Sequence, residues 1–226
     1  MEFKSLEEMN ELLINCMKCP RLVEFRKSVA LRKNRFYGEI YWSRPVPGFG
    51  NHDGKLLILG LAPAATGGNR TGRIFTGDKS AQFLVNCLYK VGFTNKSTSE
   101  NANDGLIYYD AYVTAVLKCV PPNDKPTLDE LNNCSPYMEY EIETMKNLKA
   151  ILVLGRIAFE SLKRYLKKKG INIQGMEFKH GTFYEIDNNK RIYCSYHPSP
   201  RNVNTGRIKS DDLINILNDI KNYIYA

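Results

Sequence analysis

The chain has 226 residues, of which 43% are apolar and 11% aromatic, and this suffices for the core of one domain covering residues 1–226. Its formal net charge of +8 favours an anionic partner, most commonly a nucleic acid. The sequence contains neither 18 consecutive apolar residues nor a signal-peptide pattern, which argues against a membrane partner and a secreted disulfide framework and predicts an intracellular protein.

Strand and helix patterns alternate along the chain after an N-terminal helix that starts at Ser5. The predicted strands cover residues 55–61, 106–117, 150–154 and 191–196, and the last pairs with 178–186 in a hairpin around Asn188 and Asn189. The predicted helices cover residues 79–91, 127–148, 157–166 and the segment from Ser210 onward. This alternation predicts an α/β fold, a three-layer α/β/α sandwich with a central, mostly parallel four-stranded sheet.

Two long polar loops follow two of the predicted strands. The first belongs to LLILGLAPAATGGNRTGRIFTGDKS (Leu56 to Ser80), and the second is SYHPSPRNVNTGR (Ser195 to Arg207). In an open α/β sheet, ligands bind in the crevice beyond the carboxyl ends of the strands. The two loops are therefore the predicted walls of one site.

The first loop carries groups suited to a nucleotide. Its glycines let backbone amides turn toward a ligand, and Arg70 and Arg73 add charge for phosphate. Phe75 offers a flat face on which a base can stack, and the alternative is that it is a core aromatic. Asp78 is either a site residue or only the N-cap of the next helix.

The second loop is built around His197, which is followed by Pro198, Ser199 and Pro200. A lone histidine is more often structural than catalytic, but these prolines predict a turn that faces solvent. Polar and basic residues that follow can meet phosphates or fill a groove, and the alternative is an ordinary polar loop. They are Arg201, Asn202, Asn204, Thr205 and Arg207.

Four of the six cysteines are candidate metal ligands. Cys16 and Cys19 form a C-x2-C pair, and Cys119 and Cys134 lie far along the chain. Four thiolates from two segments suit zinc or a [4Fe-4S] cluster, whereas free cysteines are also common as small buried apolar residues. The remaining two, Cys87 and Cys194, fall within a helix and a strand and are predicted to be core residues.

At this point the motifs match a known pattern. GLAPAATGGNRTGRIFTGD (Gly60 to Asp78) and HPSPRNVNTGR (His197 to Arg207) resemble the two motifs of the uracil-DNA glycosylase superfamily, closest to its type-b branch, family 5, of archaea and some bacteria. KCVPPNDKPT (Lys118 to Thr127) and the four cysteines resemble the iron-sulfur region of that branch. The resemblance implies a [4Fe-4S] cluster that ties the N-terminal segment to the sheet, with zinc as the alternative.

The resemblance also implies an activity and a set of roles. The activity is hydrolysis of the N-glycosidic bond of uracil, and of hypoxanthine or xanthine as a wider range, in DNA during base-excision repair. His197 stabilises the leaving base, and Asn69, with Asp78 as second choice, positions the water. Base binding is expected from Gly60, Leu61, Ala62, Ala64, Phe75 and Thr114. DNA contacts are expected from Arg70, Arg73, Ser199, Pro200, Arg201, Asn202 and Arg207.

The sequence departs from the superfamily pattern at several places. Ala62 stands where other branches carry a carboxylate or amide that activates water, as it does in the type-b branch. Thr66 stands where type-b relatives often carry a histidine, and Thr114 or Ala115 lies where many members have a base-reading asparagine. A rival interpretation is a non-catalytic iron-sulfur module that binds damaged DNA. DNA with deaminated bases is the expected partner of a monomer in a prokaryotic cytoplasm, near the nucleoid. No motif identifies a sliding-clamp or abasic-site repair partner.

Overall fold

The computed structural model describes residues 3–186 and 189–226. The strands of its sheet are β1 (Phe49–Gly50), β2 (Leu56–Gly60), β3 (Ala111–Ala115), β4 (Ala150–Leu154), β5 (Phe183–Ile186) and β6 (Lys190–Ser195). The α-helices are α1 (Leu6–Ile14), α2 (Pro20–Ser28), α3 (Gly68–Thr71), α4 (Lys79–Val91), α5 (Leu128–Thr144), α6 (Arg156–Lys168), α7 (Pro200–Asn204) and α8 (Ser210–Tyr225). No helix in these ranges has both the length and the apolar character that a membrane crossing requires.

The sheet contains six strands in the order β1-β3-β2-β4-β6-β5. The four central strands are parallel, whereas β1 and β5 pair antiparallel at the two edges. The predicted sandwich is confirmed, but the count of four strands is wrong because it omits both edges. β1 has only two residues, which is too short to show a periodic pattern. The sequence pattern indicates β5 only as one arm of the hairpin, not as a strand of the central sheet. One of the two predicted turn residues, Asn188, lies outside the described residues.

Several element boundaries differ from the sequence-based prediction. β3 begins at Ala111 rather than near residue 106, and α5 ends at Thr144 rather than near residue 148. The short helices α3 and α7 replace parts of the two loops, and α2 lies in a segment for which the sequence pattern predicts no helix. Each of these three helices has nine residues or fewer, and such lengths carry too few turns to show a clear period.

Helices cover both faces of the sheet. Leu57 and Leu59 of β2 pack in one apolar cluster with residues of α1, α5 and α6, whereas Leu56 and Ile58 pack in the other with residues of α4 and α8. Side chains alternate along a strand, so a strand that is covered on both sides must be apolar throughout. This explains the unbroken apolar runs of β2 and β4 and confirms three layers.

A buried polar network fills the layer between β3 and α5. The Lys118 ammonium group lies 2.6 Å from Oε2 of Glu141, and both side chains are almost fully shielded from solvent. Hydroxyl groups of Thr114 and Tyr112 donate further hydrogen bonds to the same carboxylate. Residues just before Lys118 bind the chain after β2, because the amide of Leu117 donates to the carbonyl of Leu61. The network therefore anchors the segment that supports the first loop.

Replacing Lys118 tests this anchor. Lys118→Met leaves the Glu141 carboxylate buried without a counter-charge, and we expect the free energy of unfolding in urea to fall by about 3–5 kcal/mol. The matched control is Lys169→Met, which removes the half-exposed partner of Glu143 and should change that energy by about 0–1 kcal/mol. Equal losses of the free energy of unfolding in the two variants would show that burial of the Lys118–Glu141 pair does not make it more important for stability than an exposed pair.

Candidate functional site

A cavity of about 660 Å³ lies at the carboxyl edge of the parallel strands. It is lined by residues from four segments, 61–66, 74–80, 154–158 and 197–200, together with Arg35 and Asp124. Parallel pairing aligns Leu59 with Val153, and Leu154 with Ser195. The ends of β2, β4 and β6 therefore reach the same edge, and the two predicted loops face one another.

Phe75 forms one wall of the cavity. Its backbone has a positive φ of 46°, which is rare for an aromatic residue, and its side chain is 7% exposed. A Cβ on Gly60 would lie 2.9 Å from the ring, so the glycine at this position is required for the close approach of the ring to β2. Gly60 leaves room for the ring of Phe75, whereas Leu61, Ala62 and Ala64 line the cavity directly.

The imidazole of His197 faces Phe75 across the cavity. The two ring centroids are 5.8 Å apart, with the ring planes inclined by 31°. Within the described ranges no side chain or backbone group forms a hydrogen bond with the imidazole, so both ring nitrogens are open to a ligand. Burial lowers the pKa of His197 to about 4, and the ring is therefore neutral at pH 7.

The backbone of His197 is held by the turn that follows it. Its carbonyl accepts hydrogen bonds from the amide of Ser199 and from Nδ2 of Asn202, both at 2.8 Å. The Ser199 hydroxyl accepts from the amide of Asn202 and caps α7. Asn202 thus holds the backbone of His197 in position, whereas Ser199 and Pro200 line the cavity directly.

Asp78 is both the N-cap of α4 and part of the cavity wall. Its Oδ1 accepts hydrogen bonds from the amides of Ser80 and Ala81. Its Oδ2 has no hydrogen-bond donor among the described residues and lies so close to Gly67 that a Cβ there would be 1.9 Å away. Burial raises the pKa of Asp78, and the two amide hydrogen bonds offset this only in part. Both roles considered for Asp78 are therefore compatible.

The similarity of the chain to known proteins agrees with this geometry. Residues 47–221 match the family model described as the uracil DNA glycosylase superfamily. The chain belongs to the uracil-DNA glycosylase superfamily. The match includes both cavity loops, and the resemblance predicted from their motifs is confirmed.

Individual relatives place the similarity within the superfamily. The chain is 43% identical to a type-5 uracil-DNA glycosylase of Pyrobaculum aerophilum, over 91% of this chain and 87% of the relative. It is 40% identical to a type-5 uracil-DNA glycosylase of Thermus thermophilus, over 95% and 96% of the two chains. A type-4 uracil-DNA glycosylase of Sulfurisphaera tokodaii is 28% identical. Bacterial as well as archaeal proteins are among these relatives, so the similarity does not favour an archaeal source.

Two site residues predicted for this superfamily chain do not reach the cavity. Asn69 is 1% exposed, and its amide donates a 3.0 Å hydrogen bond to the carbonyl of Arg26. Thr114 is fully buried in the network of Glu141 and Lys118 and is not among the residues that line the cavity. The geometry therefore gives no support to the predicted roles of Asn69 in water positioning and of Thr114 in base binding, which stay predictions. Short polar motifs do not reveal which side of the backbone a side chain takes.

The two arginines predicted to contact DNA from the first loop are engaged within the protein. Arg73 is buried and binds Asp104 at 2.7 Å. Although burial raises the pKa of Asp104, hydrogen bonds from Arg73 and backbone amides outweigh burial and hold that pKa well below its usual range. Arg70 binds Glu39 at 2.9 Å and the carbonyl of Thr66 at 2.8 Å. The DNA contacts predicted for Arg70 and Arg73 stay predictions, and in this structure both arginines hold the first loop through partners within the protein.

Arg201 and Arg207 of the second loop remain available for DNA. Both side chains are exposed, and neither has a carboxylate partner within residues 3–186 and 189–226. The guanidinium group of Arg207 lies 5.9 Å from the ring centroid of Tyr196. Their position next to the cavity mouth is compatible with the predicted DNA contacts.

Sequence reasoning missed three parts of the cavity wall. Residues 155–158 follow β4, and the rule about strand ends that selected the other two loops applies to this strand as well. Asp124 follows Asn123 in a turn where both residues have a φ of 55°. Arg35 comes from the irregular loop before β1, and no pattern in the sequence indicates its proximity to Asp78.

The four candidate cysteine ligands line one apolar cavity between α1, α2 and α5. Burial, together with the neighbouring sulfurs, raises the pKa of Cys119 to about 11 and that of Cys134 to about 12. No three His, Cys, Asp or Glu side chains in the described part of the chain are arranged to hold a single metal ion. Cys87 and Cys194 are buried core residues, as predicted.

Arg26 shows that this cavity suits a negatively charged group. Its side chain is buried, with Nη1 3.0 Å from the sulfur of Cys119 and Nη2 3.2 Å from the carbonyl of Cys16. Its Nε has no hydrogen-bond partner, and no carboxylate among the described residues pairs with it. A buried cation with only neutral partners is costly. Four thiolates bound to an iron-sulfur cluster would supply the missing negative charge, so the residues fit such a group.

The protonation of His197 can be measured directly. We expect its imidazole signals in NMR spectra of isotope-labelled protein to titrate near pH 4, and to be assigned by their loss in His197→Asn. Because the unfolded imidazole has a pKa of about 6.5, the unfolded state binds more protons between these two values. His197 therefore lowers the free energy of unfolding as the pH falls from about 6.5 to about 4, and His197→Asn should reduce this loss. Titration of His197 near pH 6.5 would contradict its desolvation.

Proposed function

We propose that the protein is a uracil-DNA glycosylase that hydrolyses the N-glycosidic bond of uracil in DNA and leaves an abasic site for base-excision repair. The observation that carries this proposal is the neutral, unpaired imidazole of His197 facing Phe75 in one cavity. The similarity to type-5 enzymes over most of the chain supports the same activity. DNA is accordingly the substrate.

Access to the cavity requires base flipping, because a base inside a duplex is shielded by its neighbours. Extrusion costs a few kcal/mol, and least for a mismatched base, so uracil opposite guanine is favoured. The flipped base then stacks on Phe75. Backbone amides of the segment 61–65 hydrogen-bond its edge, and the walls at Ala62 and Ala64 leave room around it.

His197 stabilises the leaving base. When the bond between the sugar C1′ and the base nitrogen breaks, its electron pair moves onto the base and charge collects on the uracil O2. A neutral imidazole donates a hydrogen bond to that oxygen without having to lose a proton first. One preorganised donor of this kind lowers the barrier by roughly 3 kcal/mol.

Asp78 is the better candidate for positioning the water, since Asn69 points away from the cavity. Its Oδ2 is free to accept a hydrogen bond from water, while the amides of α4 hold the other oxygen. The water oxygen bonds to C1′, and its proton passes toward the carboxylate. A raised pKa makes this carboxylate a stronger base than an exposed one.

The base range extends to deaminated purines in this proposal. A cavity of about 660 Å³ is larger than a single pyrimidine needs. Thr114 is absent from the wall, so no side chain at that strand selects uracil by a paired hydrogen bond. Hypoxanthine and xanthine therefore join uracil as proposed substrates.

DNA is held by the second loop. Pro200, with the rest of α7, enters the minor groove and fills the gap left by the flipped base. Ser199, Arg201 and Arg207 contact the strand beside it. A non-catalytic damage-binding module is less well supported. Burial lowers the pKa of His197 and raises the pKa of Asp78, and binding alone does not require either shift.

We further propose a [4Fe-4S] cluster held by Cys16, Cys19, Cys119 and Cys134. Its role is structural, because these residues connect α1, α2 and α5 and lie apart from the segments that line the catalytic cavity. The chain then acts as one domain whose N-terminal helices are tied to the sheet through the cluster.

Excision of uracil from duplex DNA under single-turnover conditions tests the function. His197→Ala should slow excision by about a hundredfold to a thousandfold through loss of one hydrogen-bond donor, and Asp78→Asn should slow it while retaining the helix cap. His52→Gln, which changes a histidine outside the cavity, should retain full activity. Wild-type activity in His197→Ala, or no excision by the unmodified protein, would overturn the proposed function.

Iron analysis tests the cluster. The purified protein should contain about four iron atoms and four acid-labile sulfides per chain, and Cys16→Ser should lose most of both together with stability. Cys87→Ser is the matched control and should retain the iron. One zinc ion in place of iron, or full iron content in Cys16→Ser, would contradict this ligand set.

A further inference from the structure

A second groove adjoins the catalytic cavity. It has a volume of about 490 Å³, and it shares Arg35, Asp78 and Lys79 with the wall of that cavity. The rest of its wall is formed by Phe36, Arg70, Gly77, Gln82, Ser99 and Glu100. The two spaces therefore adjoin each other along a shared edge, and a DNA strand that crosses this edge from the cavity enters the groove.

The groove wall combines an aromatic ring with guanidinium groups. The guanidinium carbon of Arg70 lies 3.8 Å from the centroid of the Phe36 ring, and that of Arg35 lies 4.4 Å from it. Bases that leave a duplex stack on aromatic rings and on guanidinium planes. Because both guanidinium groups lie over the Phe36 ring, an unpaired base meets the guanidinium plane of Arg35 rather than the ring itself.

Two cations at the shared edge are available to a ligand. Arg70 is engaged with Glu39 and the carbonyl of Thr66, so it shapes the groove. Arg35 and Lys79 are exposed, and neither forms an ion pair with a carboxylate in the described ranges. Their charges lie at the edge that the groove shares with the catalytic cavity, within the wall of both spaces.

We propose that this groove binds the nucleotide next to the flipped one on the same DNA strand, with its base on the guanidinium plane of Arg35, which lies over Phe36, and its phosphate beside Lys79. This inference rests on the proposed function, because the flipped nucleotide in the catalytic cavity fixes the position of its neighbour on the same DNA strand. The groove makes the protein sensitive to unpaired DNA beside the lesion. Arg35, which sequence reasoning did not select, becomes a DNA-binding residue.

Binding to truncated DNA tests the groove independently of catalysis. We would use duplexes with a stable abasic-site analogue, in which the strand that carries it either stops at the analogue or runs one nucleotide further, on the 5′ or the 3′ side. On one of these sides, the added nucleotide should raise the affinity of the wild-type protein roughly tenfold, as expected for one stacked base. Arg35→Ala and Gln82→Trp, which removes the charge or fills the groove, should each abolish this gain.

Two matched variants control for general effects. Lys33→Ala removes a nearby exposed charge, and Tyr89→Trp adds the same indole on an exposed part of α4, yet neither position lines the groove. Both should keep the gain, and Arg35→Ala should also lower the salt slope of binding by about one unit. A gain that survives either groove variant, is lost in either control, or is missing in the wild type overturns the proposal.

A second set of duplexes separates this proposal from the proposed function. These duplexes carry uracil at an internal position instead of the abasic-site analogue, and excision of the uracil is measured. A protein that excises uracil without the one-nucleotide gain overturns the groove alone. A protein that shows the gain in affinity but excises no base supports the groove and overturns the glycosylase activity.

Discussion

Parallel pairing of β2, β4 and β6 is the constraint on which the site depends. Because parallel strands start at one edge and end at the other, the loops after β2, β4 and β6 must all meet at the carboxyl edge. Segments more than a hundred residues apart in sequence thus bring Phe75 and His197 together. The helices on both faces serve this geometry by burying the strands on each side.

Desolvation gives the cavity its chemistry. Burial disfavours a charge of either sign, so it lowers the pKa of His197 and raises that of Asp78. A neutral donor and a more basic carboxylate then face the same space, although neither is paired with the other. An apolar wall, formed largely by alanines and Phe75, is therefore part of the catalytic apparatus even though it carries no reactive group.

Buried cations elsewhere in the protein are held by partners that the sequence motifs do not show. Arg73 is neutralised by Asp104, and Lys118 by Glu141, so these cations stabilise loops. Arg26 has no such carboxylate and lies against cysteine sulfur, which connects its burial to the proposed cluster. Buried cations thus serve two different purposes, and only their partners distinguish them.

The sequence by itself determined the alternation of elements and the two cavity loops that carry His197 and Phe75, because unbroken apolar strands and long polar loops are local patterns. The resemblance of the motifs also determined the superfamily. Only the tertiary structure decided that Asn69 and Thr114 face away from the cavity and that Arg35 and residues 155–158 line it. The direction of a side chain in a loop depends on long-range contacts, such as Asn69 with Arg26, and no local pattern encodes them.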